Sequence, residues 1–299
     1  MKVMARFLAL MALLALVVSA PVFAQSTQEP PPKQPGTPAQ PPAKQPGTPA
    51  QPGAAGSSLP GQPPAPPVNP EEEAAYKAFF ESKEDNLKVK LGEEFQEKFP
   101  TSRYRESVYA ALTNAYQNLG QEEKMFATCD KTLEINADNL AALVTIAKAL
   151  PRRTDTKALD AQQKFDKAEK YGKRALELLA LLSKPENVTE EIFAKAKSDA
   201  LADVHSGLGL VYLQKGRLAE SIGALEQATK VTATPDQSDF YLLGVALQSA
   251  KRFEDAIAAY GSCAGVASPV QEYCKQGQAE AKKQAAAAAK PPAPAPPKP

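Results

Sequence analysis

Side chains that could perform catalysis or hold a metal are few in this sequence. It contains one histidine, His205, and three cysteines, Cys129, Cys263 and Cys274. A hydrolytic or metal site needs several His, Cys or carboxylate side chains held together in one cleft. The chain has no Gly-x-Ser-x-Gly motif, phosphate-binding loop or Cys-x-x-Cys motif. The sequence therefore predicts a protein that is not an enzyme, with no catalytic residues, cofactor, metal or small-molecule substrate.

The charge pattern argues against a nucleic-acid partner. The formal net charge is +1, whereas a phosphate-binding surface normally has a strong basic excess or stripe. Lysines and arginines alternate with acidic residues instead, as in the segment that contains Lys164, Asp166, Lys167, Glu169 and Lys170. This pattern is typical of a solvated helix face with local ion pairs.

The first 24 residues have the order of a secretory signal peptide. Lys2 and Arg6 precede an apolar run from Phe7 to Val18, and the following Val22-Phe23-Ala24 loosely fits the small-x-small cleavage rule. We expect cleavage after Ala24. An uncleaved membrane anchor is the alternative, although the apolar run is shorter than the ~20 residues of a spanning helix. The protein is thus expected to be exported to the periplasm or cell envelope, or secreted, where thiols are oxidised.

Prolines separate the ends of the chain from its middle. Most of the 28 prolines lie in residues 25–70 and 290–299, and the segment that begins at Lys33 is nearly repeated from Lys44. Such sequence offers little apolar surface to offset ordering entropy, so both segments are predicted to be disordered, the first as a linker and the second as a tail. Docking of these prolines into a partner's aromatic groove is the alternative.

The middle of the chain contains an internal repeat. It is rich in Ala, Leu, Glu, Lys and Gln and lacks alternating β-branched runs, which predicts an all-α fold. The segment that begins at Leu208 aligns with the one that begins at Leu243, 35 residues further on. Gly209 and Gly244 coincide, and apolar residues recur at helical spacing around them.

Both segments resemble the tetratricopeptide repeat (TPR), a helix pair with a period of about 34 residues. The resemblance implies an α-α superhelical solenoid in which Gly209 and Gly244 lie where the two helices of a unit cross. The junction from Phe99 to Ser107, which leads into the segment around Tyr109, is similar to junctions in exported bacterial TPR proteins of outer-membrane assembly and Tol-Pal systems.

Weaker matches to the same repeat extend over the whole middle of the chain. The predicted units are an N-terminal helix pair (71–105), a TPR (106–139), an irregular TPR with an inserted loop beginning at Pro151 (140–182), a TPR with an extended first helix (186–235), a TPR (237–268) and a capping helix (269–289).

This division into repeat units predicts a structural role for the single histidine and for each of the three cysteines. Cys129 and His205 fall at positions that other units fill with packing residues, so both are expected in helix contacts. Cys263 would end the last second helix, and Cys274 would open the capping helix. These two cysteines are expected to form either a disulfide or two buried thiols.

The resemblance also implies a concave groove lined by the first helix of each unit. The groove residues predicted to bind a partner are Asn114, Gln117, Lys148, Leu210, Leu213, Gln214, Tyr241, Val245 and Gln248. This mixture of amides, apolar side chains and one lysine favours an extended or helical protein segment as the partner. The alternative is that these faces are merely solvated, and that self-association or the inserted loop mediates binding.

Two functions are compatible with these features. The first is a non-enzymatic scaffold in the cell envelope that binds other proteins, with no nucleic acid and no membrane contact beyond an uncleaved signal. The alternative is a structural spacer or cell-wall-associated protein that acts mainly through its proline-rich arm.

Overall fold

The computed structural model describes residues 69–289, which form eleven α-helices and, within that range, no strand. The expected all-α solenoid is thereby confirmed. The expectations for the signal peptide, most of the proline-rich linker and the tail concern residues outside this range.

The helices are α1 (Pro70–Glu81), α2 (Asp85–Lys98), α3 (Arg105–Asn118), α4 (Glu122–Ile135), α5 (Leu140–Arg153), α6 (Ala161–Leu181), α7 (Glu190–Gln214), α8 (Leu218–Lys230), α9 (Gln237–Ser249), α10 (Phe253–Ala264) and α11 (Gln271–Ala288). We refer to α3, α5, α7 and α9 as the first helices and to α4, α6, α8 and α10 as the second helices.

Consecutive helices pack against each other along the whole array. Each first helix also contacts the next first helix, and α9 contacts α11, whereas the second helices make no comparable contact with one another in the part of the chain described. The first helices are therefore the inner, closely packed layer of a curved array, and the second helices form its outer layer.

The turn within each of three units has the same geometry. Gly120 and Gly216 adopt φ of 68° and 70°, and Lys251 adopts φ of 62° at the corresponding position. The residue after each of these three donates its backbone N–H to the carbonyl oxygen five residues earlier in the chain. Arg217, for example, donates to Tyr212 at 2.9 Å. This is the hydrogen bond of a left-handed helix C-cap, which glycine forms without steric cost.

Small residues allow the two helices of a unit to approach closely. A Cβ on Gly209 would lie 2.5 Å from Leu225 of α8, and one on Gly244 would lie 2.6 Å from Tyr260 of α10. Ser221 of α8 donates its hydroxyl to the carbonyl oxygen of Gly209 at 2.8 Å. The glycines singled out by the repeat thus lie at the helix crossings, as predicted.

The irregular unit differs from the expectation at Pro151. This proline lies inside α5, which continues to Arg153, and the inserted loop occupies 154–160. Pro151 has no N–H to donate to the carbonyl of Ala147, four residues back. That same carbonyl faces α7, where a Cβ on Gly207 would lie only 2.0 Å from the Ala147 oxygen. The carbonyl of Ala147 therefore lacks its usual donor within α5, because of Pro151, and is in close contact with α7 at Gly207.

The middle of α6 and the turn that follows α7 are joined through a buried carboxylate. Glu169 of α6 contacts Lys173 (2.7 Å), Lys215 (2.6 Å) and Arg217 (2.8 Å). Burial alone would raise the pKa of Glu169, but hydrogen bonds from these three cations outweigh it and lower the pKa to about 2. Because Lys215 and Arg217 belong to the α7–α8 turn, the charged face of α6 does more than form the local ion pairs expected from its sequence.

Helix α11 closes the end of the array. It packs on α9 and α10, and Gln278 donates to the carbonyl of Ile257 in α10 at 3.1 Å. Cys263 and Cys274, both fully buried, are joined by a disulfide with a Cα–Cα distance of 5.9 Å. The bond links α11 covalently to the last second helix.

We expect removal of this bond by Cys263→Ser with Cys274→Ser to lower the free energy of unfolding by roughly 2–3 kcal/mol, because the unfolded chain gains loop entropy. Urea unfolding of both proteins, with and without reductant, measures the effect. Reduced wild-type protein should unfold like the double variant, whose own stability should not respond to reductant. Equal urea midpoints for oxidised and reduced wild-type protein would contradict a stabilising role.

Candidate functional site

Several side chains predicted to line the groove remain accessible on the first helices. Asn114 and Gln117 on α3 are half-buried, and Gln214 at the end of α7 is exposed. Leu213, Tyr241 and Val245 are partly buried against the apolar cluster of the last units. The inner layer thus offers both amide groups and apolar surface.

Leu210 differs from the expectation of an open groove position. Its side chain is only 9% exposed, so it offers little surface to a partner. The reason is the close contact between α5 and α7 at Ala147 and Gly207, one turn before Leu210 on α7. Packing between consecutive first helices covers this position.

Lys148 forms an ion pair across the inner layer. Its Nζ lies 2.6 Å from Asp203 Oδ1 of α7, and the two side chains are 21% and 22% exposed. The only lysine among the predicted groove residues is therefore held by a carboxylate of the protein itself.

A second polar contact spans three successive first helices. Arg152 near the end of α5 donates to Ser206 of α7 at 2.5 Å and lies 3.3 Å from Asp239 Oδ1 of α9. Ser206 also donates its hydroxyl to Asp239. The Asp239 side chain is only 4% exposed, and burial raises its pKa to about 6, against the lowering effects of Ser206 and Arg152. This buried carboxylate thus remains costly to ionise.

Two predicted groove residues contact the capping helix. The Tyr241 ring centroid lies 6.1 Å from that of Tyr273 on α11. Gln248 donates to Gln284 of α11 at 3.1 Å and accepts from the Tyr260 hydroxyl at 2.9 Å. At its last unit the inner layer is therefore partly covered by α11.

A cavity of about 280 Å³ opens beside the ion pair of Lys148. Its walls come from α5, α7, the start of α9 and the two loops 232–236 and 267–270. The lining residues are Lys148, Asp199, Ala202, Asp203, Thr232, Thr234, Pro235, Asp236, Gln237, Ser238, Asp239, Ala267, Ser268, Pro269 and Val270.

The sequence interpretation did not identify the acidic residues of this cavity. Asp199 and Asp203 are four residues apart on α7, and Asp236 and Asp239 are three apart at the start of α9. Such spacing places each pair on one helix face. The spacing could have indicated each pair in the sequence. The position of the two pairs beside each other, however, depends on the packing of α7 against α9.

The remaining chemically versatile residues are Cys129 of α4 and His205 of α7. Within 69–289, no group of three or more His, Cys, Asp or Glu side chains is arranged to hold a metal ion. Burial raises the pKa of Cys129 to about 12, which disfavours the reactive thiolate. Burial also lowers the pKa of His205, which is partly buried in α7. None of the helices described is both long enough and apolar enough to cross a membrane.

The architecture is that of a helical-repeat solenoid with an inner layer of first helices. Residues 202–235 match the family model of the tetratricopeptide repeat. The match covers the second half of α7, α8 and the loop that follows, so the chain contains a TPR unit at the place where the repeat is clearest in the sequence.

Solved structures of TPR proteins are similar to this chain. A thermophilic TPR protein from Thermus thermophilus is 17% identical, and the alignment covers 71% of this chain and 99% of that one, with a TM-score of 0.40. A tetratricopeptide repeat protein from Parabacteroides merdae is 12% identical over 70% of this chain and 96% of that one, with a TM-score of 0.28. No curated protein matches the chain.

Proposed function

We propose that this chain is an exported, non-enzymatic scaffold that binds a segment of another protein along the inner layer of its first helices. The observation that carries the proposal is the accessible surface of Gln117, Leu213, Gln214 and Val245, which no other helix of the described residues fully covers. Amide and apolar side chains side by side suit an extended or helical protein segment. TPR domains in general bind other proteins, which supports the same function.

The disulfide supports the proposed export. Such bonds persist in oxidising compartments and are rare in the cytosol of most organisms. Together with the signal-like order of residues 1–24, the bond between Cys263 and Cys274 favours the periplasm or cell envelope as the place of action.

Site-specific photo-crosslinking tests the binding surface. A photoreactive amino acid at Gln117 or Gln214, on the inner layer, should give a discrete covalent adduct in cells that produce the full chain. The same group at Gln227, exposed on the outer helix α8, is the matched control and should give none. Equal adducts from both layers, or none from the inner layer, would contradict the proposal.

Deletion of residues 25–68 separates this function from that of a spacer. A scaffold should keep its inner-layer adducts after the deletion, because the described helices carry the contact. If the deletion abolished those adducts, the proline-rich arm would be the binding element.

A further inference from the structure

Two tyrosines form an accessible aromatic pair between α9 and α11. The ring centroids of Tyr241 on α9 and Tyr273 on α11 lie 6.1 Å apart, and Tyr273 is 59% exposed. Val245, one turn after Tyr241, is only partly buried. The buried ring of Tyr260 on α10 lies next to the pair, with its centroid 6.0 Å from that of Tyr241. The inner side of the last unit thus has an aromatic groove that the described helices leave partly open.

This groove also offers hydrogen-bond donors. The hydroxyl of Tyr260 donates to Gln248, whereas the hydroxyls of Tyr241 and Tyr273 have no hydrogen-bond partner within residues 69–289. A tyrosine hydroxyl can donate to a carbonyl oxygen while its ring packs on an apolar group. The groove therefore suits a ligand that presents carbonyl oxygens and apolar rings side by side.

A polyproline II helix is such a ligand. It has no internal hydrogen bonds, so its carbonyl oxygens remain free to accept, and proline-rich segments in this conformation bind aromatic-lined grooves. One turn contains three residues, so prolines at every third position share one face. The linker of this chain has two such series. They are Pro32, Pro35, Pro38 and Pro41 and, in the near repeat, Pro46, Pro49 and Pro52.

The linker is long enough to reach the groove. Four first helices separate α1 from α11, and packed helices lie ~10 Å apart, so the two ends of the array are within roughly 50 Å. At ~3.1 Å per residue, residues 53–68 can span about 50 Å and residues 42–68 about 80 Å. Both proline series can therefore reach α11 from the start of α1.

The proline-rich tail is less well placed. It follows α11 directly, so it must reverse direction, and Tyr273 lies about 24 Å back along that helix. Residues 290–299 can extend only about 31 Å. The first prolines of the tail therefore fall short of the tyrosine pair, which favours the linker as the occupant.

We propose that the groove between α9 and α11 binds the chain's own linker, through the proline series of residues 32–41 or of its near copy 46–52. The prolines pack on the rings of Tyr241 and Tyr273, whose hydroxyls donate to linker carbonyls. The contact leaves Gln117 of α3 and Gln214 of α7 open to another protein. It goes beyond the proposed function, since the occupant is the chain itself.

A nitroxide spin label on Ala43→Cys, between the two series, tests the contact in the full chain. Cys129 is buried, and Cys263 and Cys274 are joined, so the label attaches at the new cysteine. Reduction of the nitroxide gives the diamagnetic reference for the amide NMR spectra.

The oxidised label should broaden the amide signals of Tyr241, Val245 and Tyr273. The signal of Gln227, on the outer helix α8, is the control and should keep its intensity. Equal broadening of inner and outer signals, or no broadening at all, would overturn the proposal.

Removal of one ring provides the groove-side test. Tyr273→Ala should abolish most of the broadening at Tyr241, because half of the aromatic pair is lost. The matched control is Phe80→Ala on α1, which removes an aromatic side chain that is 38% exposed and closer in sequence to the linker. It should leave the broadening at Tyr241 unchanged. The same result from both variants would contradict a specific groove.

The spacing of the prolines provides the linker-side test. Pro38→Ala with Pro49→Ala interrupts both series, so the broadening should be largely lost. Pro31→Ala with Pro42→Ala removes as many prolines, at equivalent places in the two copies, but outside both series. This control should retain the broadening. Equal effects of the two double variants would show that the three-residue period plays no role.

Two further measurements identify other occupants. In a mixture of spin-labelled chain with isotope-labelled chain that carries no nitroxide, broadening would assign the groove to the linker of a second copy and overturn the intramolecular contact. Without broadening within the chain, saturable binding of an added peptide of residues 32–41 would assign the groove to a proline-rich partner. The crosslinks from Gln117 and Gln214 lie on other helices, so failure of this contact is distinguishable from failure of the scaffold function.

Discussion

Gly207→Ala is expected to lower the free energy of unfolding by about 3 kcal/mol or more, at the upper end of overpacking costs. The added Cβ would lie 2.0 Å from the carbonyl oxygen of Ala147 and 2.7 Å from its carbonyl carbon. Both are backbone atoms, so no side-chain rotation relieves the contact, and α5 and α7 must move apart. Urea unfolding measures the change.

Gly223→Ala is the matched control for this substitution. Gly223 is exposed in α8, and a Cβ there would meet nothing within 4 Å. Because alanine is a better helix former than glycine, this variant should be stabilised by about 0.5–1 kcal/mol. If the two variants had the same stability, the close contact between α5 and α7 would not exist in solution.

Arg152→Met should be the second strongly destabilising change, with a loss of roughly 3 kcal/mol at neutral pH. Methionine preserves much of the stem but leaves Asp239 buried without its cation. The double variant Arg152→Met with Asp239→Asn should recover most of the stability, because it also removes the uncompensated charge. Urea unfolding of the wild-type protein, the two single variants and the double variant measures the coupling between the two side chains. Equal losses in the single and double variants would show that Arg152 acts through its stem alone.

The same carboxylate should make stability depend on pH. In the folded protein burial raises the pKa of Asp239 to about 6, from an ordinary value of 3.8. The folded state therefore binds this proton more tightly than the unfolded state, so the contribution of Asp239 to the free energy of unfolding should increase as the pH falls from 7 to 5. His205, whose pKa is lowered by burial, contributes in the opposite sense over the same range, so the Asp239 contribution is read from the difference between the wild-type protein and Asp239→Asn. Asp239→Asn should remove that increase. The contribution of Glu169, whose pKa is lowered to about 2, is lost only below its ordinary 4.5, so it does not obscure this range.

The fold of each unit could be predicted because its signals are local. Gly209, Gly216 and Gly244 recur with the repeat, and each is needed by a turn or a crossing inside one helix pair. Helical periodicity and these glycines are readable in a single sequence because the contacts they support lie close in the chain. The same local pattern placed Gln117, Leu213, Gln214 and Val245 on first helices, where their side chains are at least partly accessible.

Contacts between units could not be predicted in this way. Arg152 reaches Asp239, 87 positions further along the chain, and Lys215 reaches Asp166 across 49 positions. Which residues meet depends on the angle between successive helix pairs, which the long α7 and the inserted loop alter. Gly207 was missed for the same reason, since its partner Ala147 belongs to the preceding unit. The cavity and its acidic wall are formed by these contacts between units.

Helix α11 has a consequence for assembly. Solenoid units are built to stack on a copy of themselves, so an uncovered last unit would be a template for end-to-end polymerisation. Here α11 occupies that place, fixed by the disulfide, and its outer side presents exposed Lys275, Gln276, Lys282 and Lys283. This charged side is poorly suited to stack on another unit. Helix α11 therefore ends the stack of helix pairs in the described residues, and under the proposed function it limits the length of partner segment that the inner layer can accommodate at that end.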